Sequence, residues 1–523
     1  MDNHAYIDGD GKLPSGASES VRRRESSSAC GPPAVGACPP PVAGGARTAA
    51  APAPSGAGVP LLRTIDGFSG VAIIVGTTIG SGIFISPKGV LRMSGSVALS
   101  LLVWLGCGVY SLLDALCYIE LGLLLPEAGG DYVYLLRGLG PLHHFFGPLP
   151  AFLSAWMDTL IMHPALVAIL SLAFAEYCVQ PFFGAPCSPA PLGVSLVAVV
   201  TYCFVVFINC YSVAWATRVQ NLFTVAKLTS IGIILVAGAY SLAQGNSQHL
   251  ATGFQGTTSS PGDVASAFYT GLFSYGGWQL LNTLTEEMVR PERNLPLAIL
   301  VAVPVVTVCY ILTNVAYLTV LSPQQLLDSS AVAFSFGERA LGPVAFLMPL
   351  GVALSLFGTL NGATLGTCRV TFAAARQGHL VDMLGFVHVR RRTPIPALIF
   401  NAIIGCIMIT VGSIGALMRM LSFVSSLFRA LTMVSLLVMR RTRADARRPY
   451  RVPTAIPCLL LLSSCYLFVS SIVDRPKTEY LYGLAFLLVG VGVHAAIVYQ
   501  RMPTFGGRVI ACFQKALQVV PTT

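Results

Sequence analysis

Residues 76–84 read Gly76-Thr77-Thr78-Ile79-Gly80-Ser81-Gly82-Ile83-Phe84, and residues 273–278 read Phe273-Ser274-Tyr275-Gly276-Gly277-Trp278. Each stretch lies mid-way along an apolar run long enough to cross a hydrocarbon core of about 30 Å. A glycine inside a helix costs about 1 kcal/mol relative to alanine, so both stretches are poised to unwind. Unwound backbone at membrane depth is tolerated only where it lines a cavity or is packed by protein. Breaks at corresponding places in two halves of a chain point to a binding site at an inverted repeat. Taken singly, Gly76-x-x-x-Gly80 also fits close helix packing, and Gly276–Gly277 fits a simple kink. The pairing of the two breaks, five spans apart, is what selects a site.

The chemistry of such a site follows from the backbone. Freed N–H groups near Gly80, Ser81 and Gly82 would stand at the N-terminus of a half-helix, whose partial positive charge suits a carboxylate. Carbonyls freed around Phe273 and Ser274 would accept bonds from an ammonium group. Together they describe an α-amino acid. The glycines are not a dinucleotide fingerprint, because no βαβ unit surrounds them.

Composition agrees with a membrane protein. Of 523 residues, 54% are hydrophobic and 10% charged, with a mean hydropathy of +0.72; soluble domains carry about 25% charged residues. Twelve apolar spans can be drawn, at about 68–91, 97–125, 148–178, 191–215, 218–242, 263–288, 296–321, 343–366, 395–417, 420–440, 453–473 and 480–500. With the N-terminus inside, Arg137, Arg218, Arg290, Arg293, Arg376, Arg390 to Arg392 and the arginines from Arg440 to Arg451 all fall on the cytoplasmic side. That is the positive-inside pattern, with both termini cytoplasmic. It also explains the net charge of +10 without nucleic acid. Residues 1–60, rich in Gly, Pro, Ala and Ser, read as a disordered cytoplasmic tail without an apolar signal segment. Residues 61–502 form the membrane domain and 503–523 a cytoplasmic C-terminal tail. The fourteen cysteines include no pair with metal-ligand spacing, so neither a metal site nor a cofactor is expected.

Ionisable residues within spans default to functional candidates. Asp114, Glu120 and Asp158 fall in the second and third spans, the latter two read as paired with a neighbouring helix. Glu286 and Glu287 close the sixth span and read as a charge network with Arg290 and Arg293. In the tenth span, Ser422, Ser425, Ser426 and Arg429 recur at i, i+3, i+4, i+7 and share one helical face. Arg429 lies about 14 Å deep at 1.5 Å per residue. Two roles are open for it: contact with the substrate, or pairing with a carboxylate. No nucleophile, base and orienting group can be assembled, so an enzyme is not expected.

From about Leu61 to the C-terminus the chain resembles the light subunits of heteromeric amino-acid transporters, the L-type group of the amino acid–polyamine–organocation superfamily. The motifs are Gly80-Ser81-Gly82-Ile83-Phe84-Ile85-Ser86-Pro87-Lys88-Gly89, Gly129-Gly130-Asp131-Tyr132, Phe273 to Trp278, Thr285-Glu286-Glu287, Arg293 to Ile299 and Thr393 to Ala397. The resemblance implies an all-α membrane fold of twelve helices, a LeuT-type five-plus-five inverted repeat with broken first and sixth helices. It also implies alternating access and exchange of one L-amino acid for another at the plasma membrane. It places the carboxylate on Thr77, Ile79, Gly80, Ser81 and Gly82, and the amine on Ile74, Phe273, Ser274 and Gly276. Phe273 would also serve as a gate, Trp278 and Gln279 would line the side-chain pocket, and Ser425 and Arg429 would approach it. Cys187, in the loop after the third span, would form a disulfide with a single-span heavy-chain glycoprotein.

Some residues depart from the family pattern. Gln279 stands where neutral-selective members carry Asn and cationic–neutral members Asp, and Arg429 replaces an uncharged residue. An arginine in the pocket would repel Lys and Arg side chains, which favours neutral substrates. The alternatives are a cationic–neutral or cystine–dibasic exchanger, and an amino-acid-sensing receptor with little flux.

Overall fold

The computed structural model describes residues 65–80, 82–127, 129–182, 190–211, 213–283, 285, 288–329, 331–376, 378–389, 391, 393–473, 478–500, 514–515 and 517–521, all within the unit Pro60–Thr523. The expected disordered tail, Ser81, Cys187, Glu286 and Glu287 lie outside the described residues.

The first half comprises α1 (Gly67–Thr78), α2 (Gly82–Ser94), α3 (Val97–Leu124), α4 (Asp131–Leu139), α5 (Leu149–Met157), α6 (His163–Val179), α7 (Pro191–Tyr211) and α8 (Val213–Ala243). There follow α9 (Pro261–Ser274), α10 (Leu280–Thr283), α11 (Pro291–Val320), α12 (Pro323–Asp328), α13 (Val332–Ala340) and α14 (Leu347–Arg376). The chain ends with α15 (Ile395–Val411), α16 (Ile414–Thr442), α17 (Ala455–Val473) and α18 (Thr478–Gln500). Eight helices are long and apolar enough to cross a membrane, and α1 with α2, bent by 52°, make a ninth. The shorter α15 and α17 and the broken pair α9–α10 complete twelve spans among the described residues. A stripe on α7 exposes Leu192, Leu196, Val200, Phe204 and Phe207 by more than half, as suits a lipid-facing surface.

Packing reveals the repeat. Spans one and six meet through α2 and α9, two and seven through α3 and α11, three and eight through α6 and α14, four and nine through α7 and α15. Span five (α8) packs on span eight, and span ten (α16) packs on span three. Every corresponding pair thus follows one pseudo-symmetry, the signature of a five-plus-five inverted repeat.

Local chemistry sets the ends. Asp66 caps α1 by accepting from Ser69 N at 2.8 Å, and Ser260 caps α9 with Pro261 at its first position. The boundary between spans nine and ten differs from the sequence expectation. The chain turns at Gly412–Ser413, where Ser413 accepts from Ala416 N, so α16 begins six residues earlier than the apolar pattern suggests. An apolar run on both sides of a capping serine hides such a turn. Span three contains a π turn at Asp158–Met162. Pro164 follows it, and its ring and missing N–H require a widened helix. Here Asp158 faces His163 of its own span at 3.6 Å, not a neighbouring helix as expected. Within the C-terminal segment, Val519–Pro521 pairs antiparallel with Phe386–His388 in the loop between spans eight and nine.

The arginine-rich loops emerge on one face, called the basic face below. There Glu120 of α3, completely buried, accepts from Arg440 Nε at 2.9 Å and Nη2 at 2.5 Å, and from Val452 N at 2.9 Å. Arg440 also donates to Val452 O at 2.7 Å. Removing one partner of a buried pair costs about 3–5 kcal/mol, whereas an exposed pair contributes about 0–1 kcal/mol. Glu120→Ala is therefore expected to lower the thermal midpoint of the purified protein clearly, and Glu127→Ala, which removes an exposed pair with Arg137, to change it little. Equal midpoints would show that the Glu120 pair does not hold this face together.

Candidate functional site

The two breaks lie against each other in the middle of the bundle. α1 ends at Ile79 in an extended conformation and α2 starts at Gly82; α9 ends at Ser274, and Gly277 has φ +114°. A Cβ on Gly277 would approach Thr77 O to 2.9 Å, and one on Gly82 would approach Ser274 Cα to 2.4 Å. Glycine is needed at both places because the backbones touch. Thr77 Oγ1 donates across the contact, with Ile73 O at 2.7 Å and Gly277 O at 3.2 Å as acceptors. Gly80 packs on Thr359 of α14, whose Oγ1 would lie 2.9 Å from an added Cβ.

A tyrosine from α11 ties the breaks together. Tyr310, fully buried, places its hydroxyl 2.6 Å from Thr78 O and 2.8 Å from Ser274 O. Tyr275 donates to Trp104 O at 2.9 Å, and Trp104 sits edge-on to Tyr310. From α8, the buried Lys227 donates to Gly76 O at 2.5 Å. Neither Tyr310 nor Lys227 stands among the residues the sequence singles out. Lys227 carried a usable signal, an ionisable side chain inside an apolar run; a tyrosine in such a run carries none.

The remaining candidates divide into those at the junction and those turned away. Gly276 is exposed at this depth, and Thr77, Phe273, Gly277 and Gln279 are half-buried beside it, so an open space adjoins the breaks. Ile79 N donates to Val75 O at 2.9 Å, which leaves the first-turn N–H groups of α2, starting at Gly82, as the donors without an intrahelical partner. Ile74 and Trp278 are buried, and Trp278 meets Tyr118 edge-on at 5.2 Å. Gln279 folds back so that its Oε1 accepts from Gly277 N at 3.0 Å; it caps the break. The Ser274 hydroxyl is buried with no hydrogen-bond partner among the described residues. On α16, Ser425 bonds back to Leu421 O at 2.8 Å. Arg429 Nε pairs with Asp114 Oδ2 of α3 at 3.0 Å, and its guanidinium lies 5.5 Å from the Tyr110 ring centre. The carboxylate partner is thus the role the structure gives Arg429.

The arrangement offers a helix N-terminus, a set of carbonyls and no reactive side chain, which suits reversible binding of a zwitterion. A hydrogen bond contributes about 0.5–1.5 kcal/mol net, and more when its loss strands buried groups. Tyr310→Phe, which strands Thr78 O and Ser274 O, is expected to reduce substrate uptake about tenfold at equal surface amount; uptake unchanged in a surface-normalised assay would remove the tyrosine from the site's support.

A family model described as amino acid permease matches residues 65–493. The b(0,+)-type amino acid transporter 1 of Mus musculus is 42% identical over 441 residues, covering 84% of this chain and 89% of the relative. The cystine/glutamate transporter of Homo sapiens is 40% identical over 470 residues, covering 88% and 92%. The large neutral amino acids transporter small subunit 2 of Rattus norvegicus is 41% identical over 449 residues, covering 85% and 82%. A multi-pass helical bundle with paired broken spans, matched along most of its length in this way, belongs to the amino acid permease family, in its group of light subunits of heteromeric amino-acid transporters.

Proposed function

We propose that the protein is an obligate exchanger of neutral L-amino acids at the plasma membrane, with both termini cytoplasmic. The observation that carries this reading is the junction of the two breaks: the start of α2 at Gly82 lies against Ser274, with exposed Gly276 two residues further on. The substrate carboxylate docks on the N–H groups of Gly80, Ser81 and Gly82, and the ammonium on carbonyls near Ile74, Phe273 and Gly276. Exchange follows if the site crosses the membrane only when filled, because the empty junction leaves these polar groups unsatisfied.

Relatives named for cystine and glutamate and for large neutral amino acids match almost equally well, so the site itself must argue for the substrate class. Lys227 is held on Gly76 O and Arg429 on Asp114, so both cations are engaged within the protein and neither is offered to a charged substrate side chain. A neutral side chain fits that balance better than a cationic or anionic one. A relative named as a small subunit supports a partner subunit; we propose a heavy-chain glycoprotein in that place, linked through Cys187.

The reading is tested by uptake of labelled leucine and arginine in cells expressing the chain with and without a heavy subunit. Leucine uptake that needs the heavy subunit and is stimulated by amino acid on the opposite side is expected; dominant arginine uptake would favour the cationic–neutral alternative, and binding without flux a receptor. Gly80→Val, which drives a side chain into Thr359, is expected to abolish uptake at normal surface levels. Cys187→Ser is expected to remove the reducible heavy-chain band on gels, and persistence of that band would reject Cys187 as the link.

A further inference from the structure

The Arg429–Asp114 pair belongs to a buried cluster with an odd charge count. Asp114 has one oxygen on Arg429 at 3.0 Å, while its other oxygen, Oδ1, is buried with no hydrogen-bond partner among the described residues. One turn along α3, Tyr118 donates to Asp131 Oδ1 at 2.5 Å, and Thr432 of α16 donates to the same oxygen at 3.4 Å. Asp131 opens α4 directly after Gly130, where the helix N-terminus favours a carboxylate. Arg429 stays charged at any working pH. With both carboxylates ionised, two negative charges share one positive charge inside the membrane.

The cluster lies at the depth of the breaks. Cys107 of α3 lies beside Phe268 and Gly271 of α9, and Ser422 of α16 donates to Tyr269 O of α9 at 3.4 Å. All three helices run toward the basic face. Seven residues further along α3 and α16, about 10 Å at 1.5 Å per residue, come Asp114 and Arg429, and one turn beyond Asp114 comes Tyr118. Tyr118 touches Trp278 there. The pair therefore bridges α3, a neighbour of both broken spans, and α16.

We propose that Asp114 is a proton-binding site of the transport cycle, a reading that rests on the transporter function proposed above. A proton from water binds Asp114 Oδ1, cancels the excess negative charge and releases Arg429; the proton leaves to water when the pair re-forms. Each cycle of opening takes up and returns one proton, with no bond made or broken beyond that O–H. Access is built in: the Arg429 side chain is 18% exposed and that of Asp114 2%, so the guanidinium covers the carboxylate and must move before water reaches it. The other titratable groups near Asp114 are Tyr110, Cys117 and Tyr118 on α3, and Asp131 and Tyr134 on α4; further out, Glu120 is paired with Arg440, and Asp158, beside Asp131, faces His163. The helices packed against α3 add Tyr275 of α9 and Tyr310 of α11, both uncharged, so among the described residues Arg429 is the one cation in contact with the carboxylate. Intramembrane acids recur in proton pathways.

The sign follows from linkage: the state with the broken pair binds a proton, so acid populates it and alkali depletes it. With the full chain reconstituted in liposomes, amino-acid exchange is expected to run at least about threefold faster at about pH 6 than at about pH 8. Asp114→Asn, an isosteric mimic of the protonated acid, is expected to exchange at a rate that no longer changes with pH. Difference infrared spectra of the same samples are expected to show a carboxylic C=O band that titrates and is absent in Asp114→Asn. Arg429→Gln, which removes the cation, should move that titration to higher pH, and Asp131→Asn, which removes the second anion, to lower pH. A band that survives Asp114→Asn, a pH slope retained by that variant, or no slope in the unsubstituted chain would overturn the proposal. Should no exchange occur at any pH, the function proposed above fails, and the infrared titration alone decides for or against Asp114.

Discussion

A backbone carbonyl or N–H freed inside a membrane has no water to bond, and each one left unsatisfied costs several kcal/mol. Two interrupted helices create many such groups at one depth. Everything near the centre of this protein serves to satisfy some and to leave others open. Tyr310 takes up Thr78 O and Ser274 O; Thr77 closes on Gly277 O; Gln279 satisfies Gly277 N; Lys227 reaches Gly76 O. What remains open is the start of α2, against Ser274 and near exposed Gly276, where the proposed ligand's carboxylate and ammonium would bond.

The same constraint explains why the halves are packed as they are. A break is stable only if its partner break lies close enough for backbone contact, which Gly82 and Gly277 permit by lacking Cβ atoms. That closeness requires α2 to lie on α9, and the pseudo-symmetry then places the remaining pairs. Ionic ties lie outside this centre. Glu120 with Arg440 secures the basic face, while Asp114 with Arg429 sits at the depth of the breaks. Breaking the first removes stability; breaking the second can be offset by a proton. The first pair is completed by Val452 N, and the second leaves a bare oxygen.

The features legible in the sequence are those that depend on local composition. Glycines that weaken a helix, apolar lengths and arginine-rich loops state the spans and the breaks without reference to neighbours. The features that were not legible depend on convergence. Tyr310 lies in an apolar span 30 residues past Leu280, and nothing in its surroundings says that its hydroxyl meets two other spans. The resemblance sets Gln279 in the side-chain pocket, but only the folded chain shows its Oε1 returning to cap its own break. Arg429 was visible as an intramembrane charge; its partner could be chosen from Asp114, Glu120 or Asp158 only once α16 was seen beside α3. The turn at Gly412–Ser413 was hidden by apolar residues on both sides.

The central claim is that the open backbone at the junction holds an α-amino acid by its two charged groups. An electron cryo-microscopy map of the full chain in lipid nanodiscs with saturating leucine tests it directly. The expected density has the carboxylate within hydrogen-bond distance of the N–H groups of residues 80–82 and the ammonium near the carbonyls around Ile74, Phe273 and Gly276. Leucine density elsewhere, with the junction empty, would contradict it.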